Sequence, residues 1–143
     1  MTTINIEKRK TYPVDAEHTW SLISDFYALH TWLPAVTDTR REDATRSRIA
    51  VLPGGGEVVE QLLDDGQYFH RYRVTGGPMP VTGFVAEIRV HARTETTSEI
   101  VWQAEFQPSG IPAADAEGVV AGVFDGGLDN LASLIAKETA PAD

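Results

Sequence analysis

The chain has no cysteine, which excludes a disulfide framework, a thiolate nucleophile and a thiolate metal ligand. Cations are scarce. Among 143 residues, 12 Lys and Arg stand against 21 Asp and Glu, a net charge of -9 with a pI near 4.8. That balance repels phosphate backbones, and Arg40, Arg41, Arg46 and Arg48 are too few and too diluted by acids to override it, so nucleic acid is not an expected partner. No apolar run reads as long enough to span a bilayer, and Met1-Thr2-Thr3-Ile4 has neither the basic region nor the apolar core of a signal peptide, so a cytoplasmic protein is expected. The histidines, His18, His30, His70 and His91, fall on different elements without paired spacing, so no metal is expected. Pro53-Gly54-Gly55-Gly56-Glu57 lacks the Gly-Lys-Ser/Thr ending of a phosphate loop, and Ser21, Ser24 and Ser109 have no nucleophile elbow around them. No cofactor and no covalent catalysis follow from these residues.

What is present suits one domain over 1–143, with 139–143 a frayed tail. Residues 4–12 alternate as a strand, and Pro13-Val14-Asp15 ends it with Asp15 placed to cap a helix running to about Asp25. A second short helix over 26–32 is limited by Pro34. Six β-rich runs follow, at 36–42, 48–52, 58–63, 68–75, 81–91 and 98–107, separated by turn residues such as Asp64-Asp65-Gly66 and Gly76-Gly77-Pro78, and they predict an antiparallel meander. Alternation places His70, Tyr72, Val74, Phe84, Ala86, Ile88, Val90, Ile100, Trp102, Ala104 and Phe106 on inner faces, with Arg71, Arg73, Glu87, Arg89, Gln103 and Glu105 outside.

The stretch 113–138 predicts one long helix carrying Gly118, Gly122 and Gly126, then Asn130, at a spacing of four. Each glycine within a helix costs roughly 1 kcal/mol relative to alanine, so the bare strip needs a reason: either a pocket beside it or tight helix-to-sheet contact. Asn130 then meets a ligand, a trapped water or a protein group. His70, Tyr72 and Glu60, if all inward, form a carboxylate, imidazole and phenol set for proton transfer in an apolar cavity; otherwise the first two are cavity-wall residues and Glu60 faces solvent. Trp32, Phe84 and Trp102 either stack on a planar ligand or fill the core.

The element order, with Val14-Asp15-Ala16, Trp20-Ser21-Leu22-Ile23-Ser24-Asp25-Phe26, Trp32-Leu33-Pro34-Ala35-Val36, Glu60-Gln61-Leu62-Leu63-Asp64-Asp65, Tyr72 to Pro80 and Trp102-Gln103-Ala104-Glu105-Phe106, resembles the START-like, or Bet v 1-like (SRPBCC), superfamily over nearly the whole chain. Within it the sequence is similar to the bacterial polyketide cyclase/dehydrase-type group. The resemblance implies an α+β helix-grip fold, order β-α-α-β-β-β-β-β-β-α: a curved antiparallel sheet of about seven strands around the C-terminal helix, with a cavity between them. It also implies a function within lipid and hormone binding, ligand transfer or aromatase/cyclase chemistry. More distantly the chain resembles plant abscisic acid receptors, whose gate loops correspond to Leu52-Pro53-Gly54 and Gly76-Gly77-Pro78-Met79-Pro80; Leu33 replaces their ligand-binding lysine and Met79-Pro80-Val81 their latch, so hormone sensing does not carry over.

The expectation is a small hydrophobic or aromatic molecule held by Trp32, Leu33, Val58, Tyr72, Phe84, Ala86, Trp102, Ala104, Gly122, Gly126 and Asn130, admitted between loops containing Leu52, Pro53, Gly54, Gly77, Pro78 and Met79. The alternatives are a cofactor-free cyclase/aromatase-like enzyme using His70, Tyr72 or Glu60, and a ligand-gated protein-interaction module.

Overall fold

The computed structural model describes residues 3–139; the expected tail, beyond Thr139, lies outside the described residues. Strand β1 (Ile4–Tyr12) leads into α1 (Ala16–Ile23), where the Asp15 carboxylate accepts from His18 N at 2.8 Å. A 3-10 segment (Phe26–Thr31) follows, capped in the same way by Asp25 on Tyr27 N. Both caps satisfy amides that the first helical turn leaves without partners. Six more strands, β2 (Asp38–Glu42), β3 (Ser47–Val51), β4 (Glu57–Gly66), β5 (Phe69–Gly76), β6 (Val81–Ala92) and β7 (Ser98–Pro108), precede α2 (Ala113–Thr139).

The strands form one antiparallel sheet in the order β1-β7-β6-β5-β4-β3-β2. Each strand after the first two helices pairs with its sequence neighbour, and only β1 makes a long-range pairing, with β7. This is the helix-grip architecture that the resemblance implies. Inward alternation holds on β6, where Phe84, Ala86, Ile88 and Val90 are buried, and on β7, where Ile100, Trp102, Ala104 and Phe106 are buried. Polar contacts fasten the bracket helices to this frame: Thr19 Oγ1 meets Ser98 Oγ at 2.7 Å, and that hydroxyl donates to the Val14 carbonyl.

The buried face of α2 is Ala116, Val120, Phe124, Leu128, Leu131 and Ile135. The glycine strip is out of phase with it. Gly118 lies two residues, or about 200°, from Ala116 and Val120, and Gly118 and Gly122 are exposed while Gly126 is half-buried. A Cβ built on any of the three meets nothing within 4 Å, so neither a pocket nor close packing accounts for them, contrary to both sequence readings. The tight position is Gly127, where a Cβ would stand 2.6 Å from Leu33 Cδ1 and 3.0 Å from Trp32 Cζ3. Alanine at Gly118, Gly122 or Gly126 is therefore expected to raise stability by up to about 1 kcal/mol each, whereas Gly127→Ala should lower it by about 1–3 kcal/mol through overpacking. Urea denaturation of the four variants checks both signs.

One expectation about length changes. Within Ala113–Glu138 the mean hydropathy reaches 1.3, so this helix is long and apolar enough by composition to cross a membrane, although no run had read so. One face fills the core, and the other mixes glycine, alanine and Val119, 43% exposed, with the exposed acids Asp115, Glu117, Asp125 and Asp129.

Candidate functional site

Between the sheet, the 3-10 segment and α2 lies a small pocket of about 60 Å3, partly open to solvent. Its walls are overwhelmingly apolar: Leu29, Leu33, Val58, Phe84, Trp102 and Phe124 among them. Three polar side chains reach it, Arg48, Glu60 and Tyr72. A larger concavity of about 670 Å3 lies on the outer face of the sheet, lined by Glu7, Arg71, Glu87, Gln103 and Glu105. There Glu7 pairs with Arg9 and Glu87 with Arg89, which marks a solvated sheet face; the small pocket, apolar with convergent polar groups, is the candidate site.

The polar edge is built on one hairpin and its neighbour. Arg48 on β3 stands opposite Glu60 on β4, and its Nε donates to Glu60 Oε1 at 2.8 Å, with side chains only 5% and 11% exposed. A second guanidinium nitrogen donates to the Phe26 carbonyl at 3.0 Å, and the guanidinium lies 3.9 Å from the centroid of the Phe26 ring and 4.8 Å from that of Tyr72. The charge is thereby sandwiched between aromatic faces. Trp102 Nε1 donates to the Tyr72 hydroxyl at 3.0 Å. Burial, reinforced by the Glu60 charge, pushes the Tyr72 phenol well above its ordinary value, so it stays protonated. With the indole N–H donating to its oxygen, the phenol retains its own hydrogen to give.

The aromatic wall is continuous. Phe124 lies flat on Trp102, centroids 4.0 Å apart and planes within 10°, and Trp32 packs against the same indole at 5.4 Å. Of the two gate loops, Leu52 and Met79 line the cavity. Pro53, Gly54, Gly77 and Pro78 do not, but a Cβ at Gly56 would sit 3.5 Å from Pro78 Cγ and 3.8 Å from Leu52 Cδ1, so the loops meet across the mouth. Gly77, at φ +127°, passes within 2.9 Å of the Val58 backbone measured from where a Cβ would be, a contact no side chain permits.

Sequence reasoning placed Leu33, Val58, Glu60, Tyr72, Phe84 and Trp102 at one site, and the structure brings them together. It separates others. His70 faces inward but lies off the cavity, 4.8 Å from the Trp20 ring and 5.5 Å from Phe26. Burial, with Arg48 nearby, lowers its pKa to about 4, so the imidazole is neutral near pH 7 and does not join Glu60 and Tyr72. Ala86 and Ala104, partners across β6 and β7, are buried in the core away from the cavity wall. Trp32 backs Trp102 rather than lining the space, and Gly122 and Gly126 face away from it. Asn130 meets a protein group: its Nδ2 donates to the Trp32 carbonyl at 2.9 Å, because a spacing of four drifts about 40° per step and carries the strip round to the flank of α2.

The missed residue is Arg48, grouped at first with the diluted cations. Counting back from the Pro53-Gly54-Gly55-Gly56 turn would have found it, since Ala50 pairs with Val58 and Arg48 with Glu60. Among the described residues no group of three or more His, Asp or Glu is placed to hold a metal.

The buried imidazole has a measurable consequence. An unfolded chain takes up a proton at His70 near 6.5 and the folded one only near 4, so between these values the unfolded state binds more protons. Stability is expected to fall as pH drops through that window, by roughly 3 kcal/mol once complete. Denaturation midpoints measured from pH 7 to pH 4 test it, and His70→Gln should flatten that part of the profile.

The fold recurs in solved structures. XoxI of Bacillus cereus is 23% identical, with a TM-score of 0.91 over 96% of this chain and 99% of that one. A START superfamily protein of Mycobacterium smegmatis is 12% identical with a TM-score of 0.79, covering 94% of this chain and 99% of its own. The Zhui aromatase/cyclase of a Streptomyces species is also 12% identical, at 0.75 over 97% of both chains. At these identities the likeness carries the fold alone. A search of curated proteins finds no significant match. The family model described as polyketide cyclase / dehydrase and lipid transport matches residues 3–136. Taken with the seven-stranded sheet gripping α2, a helix-grip fold shared with START-like and Bet v 1-like structures, that match means the chain belongs to the polyketide cyclase/dehydrase and lipid transport family.

Proposed function

We propose that the protein binds a small, largely apolar molecule bearing a carbonyl or hydroxyl oxygen in the cavity between sheet and α2. The observation that carries this reading is the combination of apolar pocket walls with one polar edge, where Tyr72 has a hydrogen to donate while its oxygen already receives Trp102 Nε1. Apolar burial supplies the affinity, and the phenol orients the guest's oxygen. The Arg48–Glu60 pair, its guanidinium over the Tyr72 ring, keeps that edge polar. At about 60 Å3 the pocket is far below the roughly 300–1,000 Å3 of drug-sized sites, so a guest of that size requires the walls to move.

The cyclase-type alternative is favoured by one feature, the presence of both Tyr72 and Glu60 on the same cavity wall. Turnover of a poly-β-ketone that is lost in Tyr72→Phe while binding persists would establish it. For the binding reading, the test is titration of the wild-type protein, followed by tryptophan fluorescence, with n-octanol, 2-octanone, 2-naphthol and their parent hydrocarbons. The oxygenated compounds should bind at least about tenfold more tightly, the value of one good hydrogen bond, and Tyr72→Phe should erase the preference. Failure of every compound to bind, or an unchanged preference in Tyr72→Phe, overturns the reading.

A further inference from the structure

Three features of α2 bear on how it could move. The first is the exposed or half-buried glycines at 118, 122 and 126, which weaken the helix with no steric reason. The second is where the helix is fastened. Tyr12 donates to the Leu128 carbonyl at 2.8 Å, Lys8 pairs with Asp125, Lys10 with Asp129, Asn130 with the Trp32 carbonyl and His18 with Glu138. All of these lie at Asp125 or beyond. Among the described residues, the half of α2 that ends at Phe124 is held to the sheet by side-chain packing. Gly126 and Gly127 follow directly on Asp125, whose pair with Lys8 is solvent-exposed, and adjacent glycines in a helix interior are the kind of place where helices bend.

The third feature is the Phe124 ring. It lies flat on Trp102 at 4.0 Å and 10°, whereas the ring pairs Trp32–Trp102, Tyr72–Phe84 and Phe84–Phe106 are tilted by 52°, 39° and 30°. Phe124 thus fills, from within the protein, the slot that a planar guest would take on the indole face, beside the Tyr72 hydroxyl that the indole itself hydrogen bonds. Exchanging one ring for another on the same face leaves apolar burial and stacking nearly balanced.

We propose that Phe124 is an internal plug standing in for a planar aromatic guest, and that binding proceeds by bending α2 at Gly126–Gly127 so that its first half withdraws the ring. This rests on the ligand-binding reading above and narrows it to a flat aromatic molecule with an acceptor oxygen. The same movement shifts Val123, which lines the cavity one residue from the plug, and so enlarges the space beside the gate loops. The plug also keeps Trp102 covered when no guest is present.

The test compares binding of 2-naphthol and n-octanol to wild type, Phe124→Ala, Gly126→Ala and Gly118→Ala by calorimetry, with thermal unfolding of each. Removing the plug should tighten 2-naphthol binding by at least about tenfold, and by clearly more than it tightens n-octanol. A stiffened hinge should weaken 2-naphthol binding about threefold or more while raising the melting temperature, since an alanine disfavours the bent helix by the amount it favours the straight one. Gly118→Ala, outside the hinge and the cavity, should raise the melting temperature and leave binding unchanged. The proposal is overturned if Gly126→Ala and Gly118→Ala bind alike, or if Phe124→Ala gains as much for n-octanol as for 2-naphthol or gains for neither. Oxygen-dependent binding of n-octanol that disappears in Tyr72→Phe would still uphold the broader reading, so the two can fail separately.

Discussion

Arg48→Met is expected to destabilise the protein by about 3–5 kcal/mol, the cost of leaving one member of a buried ion pair without its partner. The Glu60 carboxylate is on the inner side of the sheet with its Oε1 taking the Arg48 hydrogen bond at 2.8 Å. Methionine keeps the length and apolar volume of the arginine stem, so the loss isolates the charge. The Phe26 carbonyl loses its donor as well, at the point where the 3-10 segment joins the cavity wall. Replacing both members, as Arg48→Met with Glu60→Leu, should recover most of the loss, because no buried charge is then stranded. Equilibrium denaturation of the two single variants and the double variant reads the effect directly. If the single and double variants lose equal stability, the pair is not the source. The double variant keeps a cavity but lacks its charged edge, so it should bind hydrocarbons and their oxygenated relatives with a smaller difference than wild type.

Trp102→Ala is expected to cost about 3–5 kcal/mol, at the upper end of core truncations. Its side chain is almost fully buried, carries the Phe124 stack and the Trp32 contact, and supplies the donor to Tyr72. Alanine removes all three and leaves a void that the flanking rings cannot close together, since Phe124 is on a helix and Trp32 on the segment after α1. Trp102→Phe should lose less, because the stacking face survives and only the indole N–H is missing. The comparison is made by chemical denaturation of the two variants; equal losses would show that the hydrogen bond to Tyr72 outweighs the packing.

Much of this arrangement was legible before the structure. Period-two alternation put Tyr72, Phe84 and Trp102 inside and Arg71, Arg73 and Glu105 outside, and the turn residues put the strand boundaries within a few positions of those observed. Alternation is a property of the strand itself, so it survives ignorance of the neighbours. The helix was harder. Residues 113–138 announced a helix, but its inner face was misjudged, because small residues at a spacing of four mark a face without saying what lies opposite. The apolar series through Val120 and Phe124 at the same spacing was the face that the sheet selected.

Charge was misread for a related reason. Counting Arg48 only among the diluted cations used composition, whereas its place is set by register: only after β3 is folded back on β4 does it stand opposite Glu60. His70 shows the converse, a residue whose inward direction was evident and whose neighbours were not; Trp20 and Phe26, contributed by α1 and the 3-10 segment, close over it and take it away from the cavity. By itself the sequence determined the order of elements, the inward set of each strand and the family pattern they compose, all of which depend on periods and turns within short stretches of chain. The tertiary structure alone decided the phase of α2, the Arg48–Glu60 pair, the flat stack of Phe124 on Trp102 and the small cavity volume, because each depends on which surfaces meet across long separations in sequence and on how closely they pack.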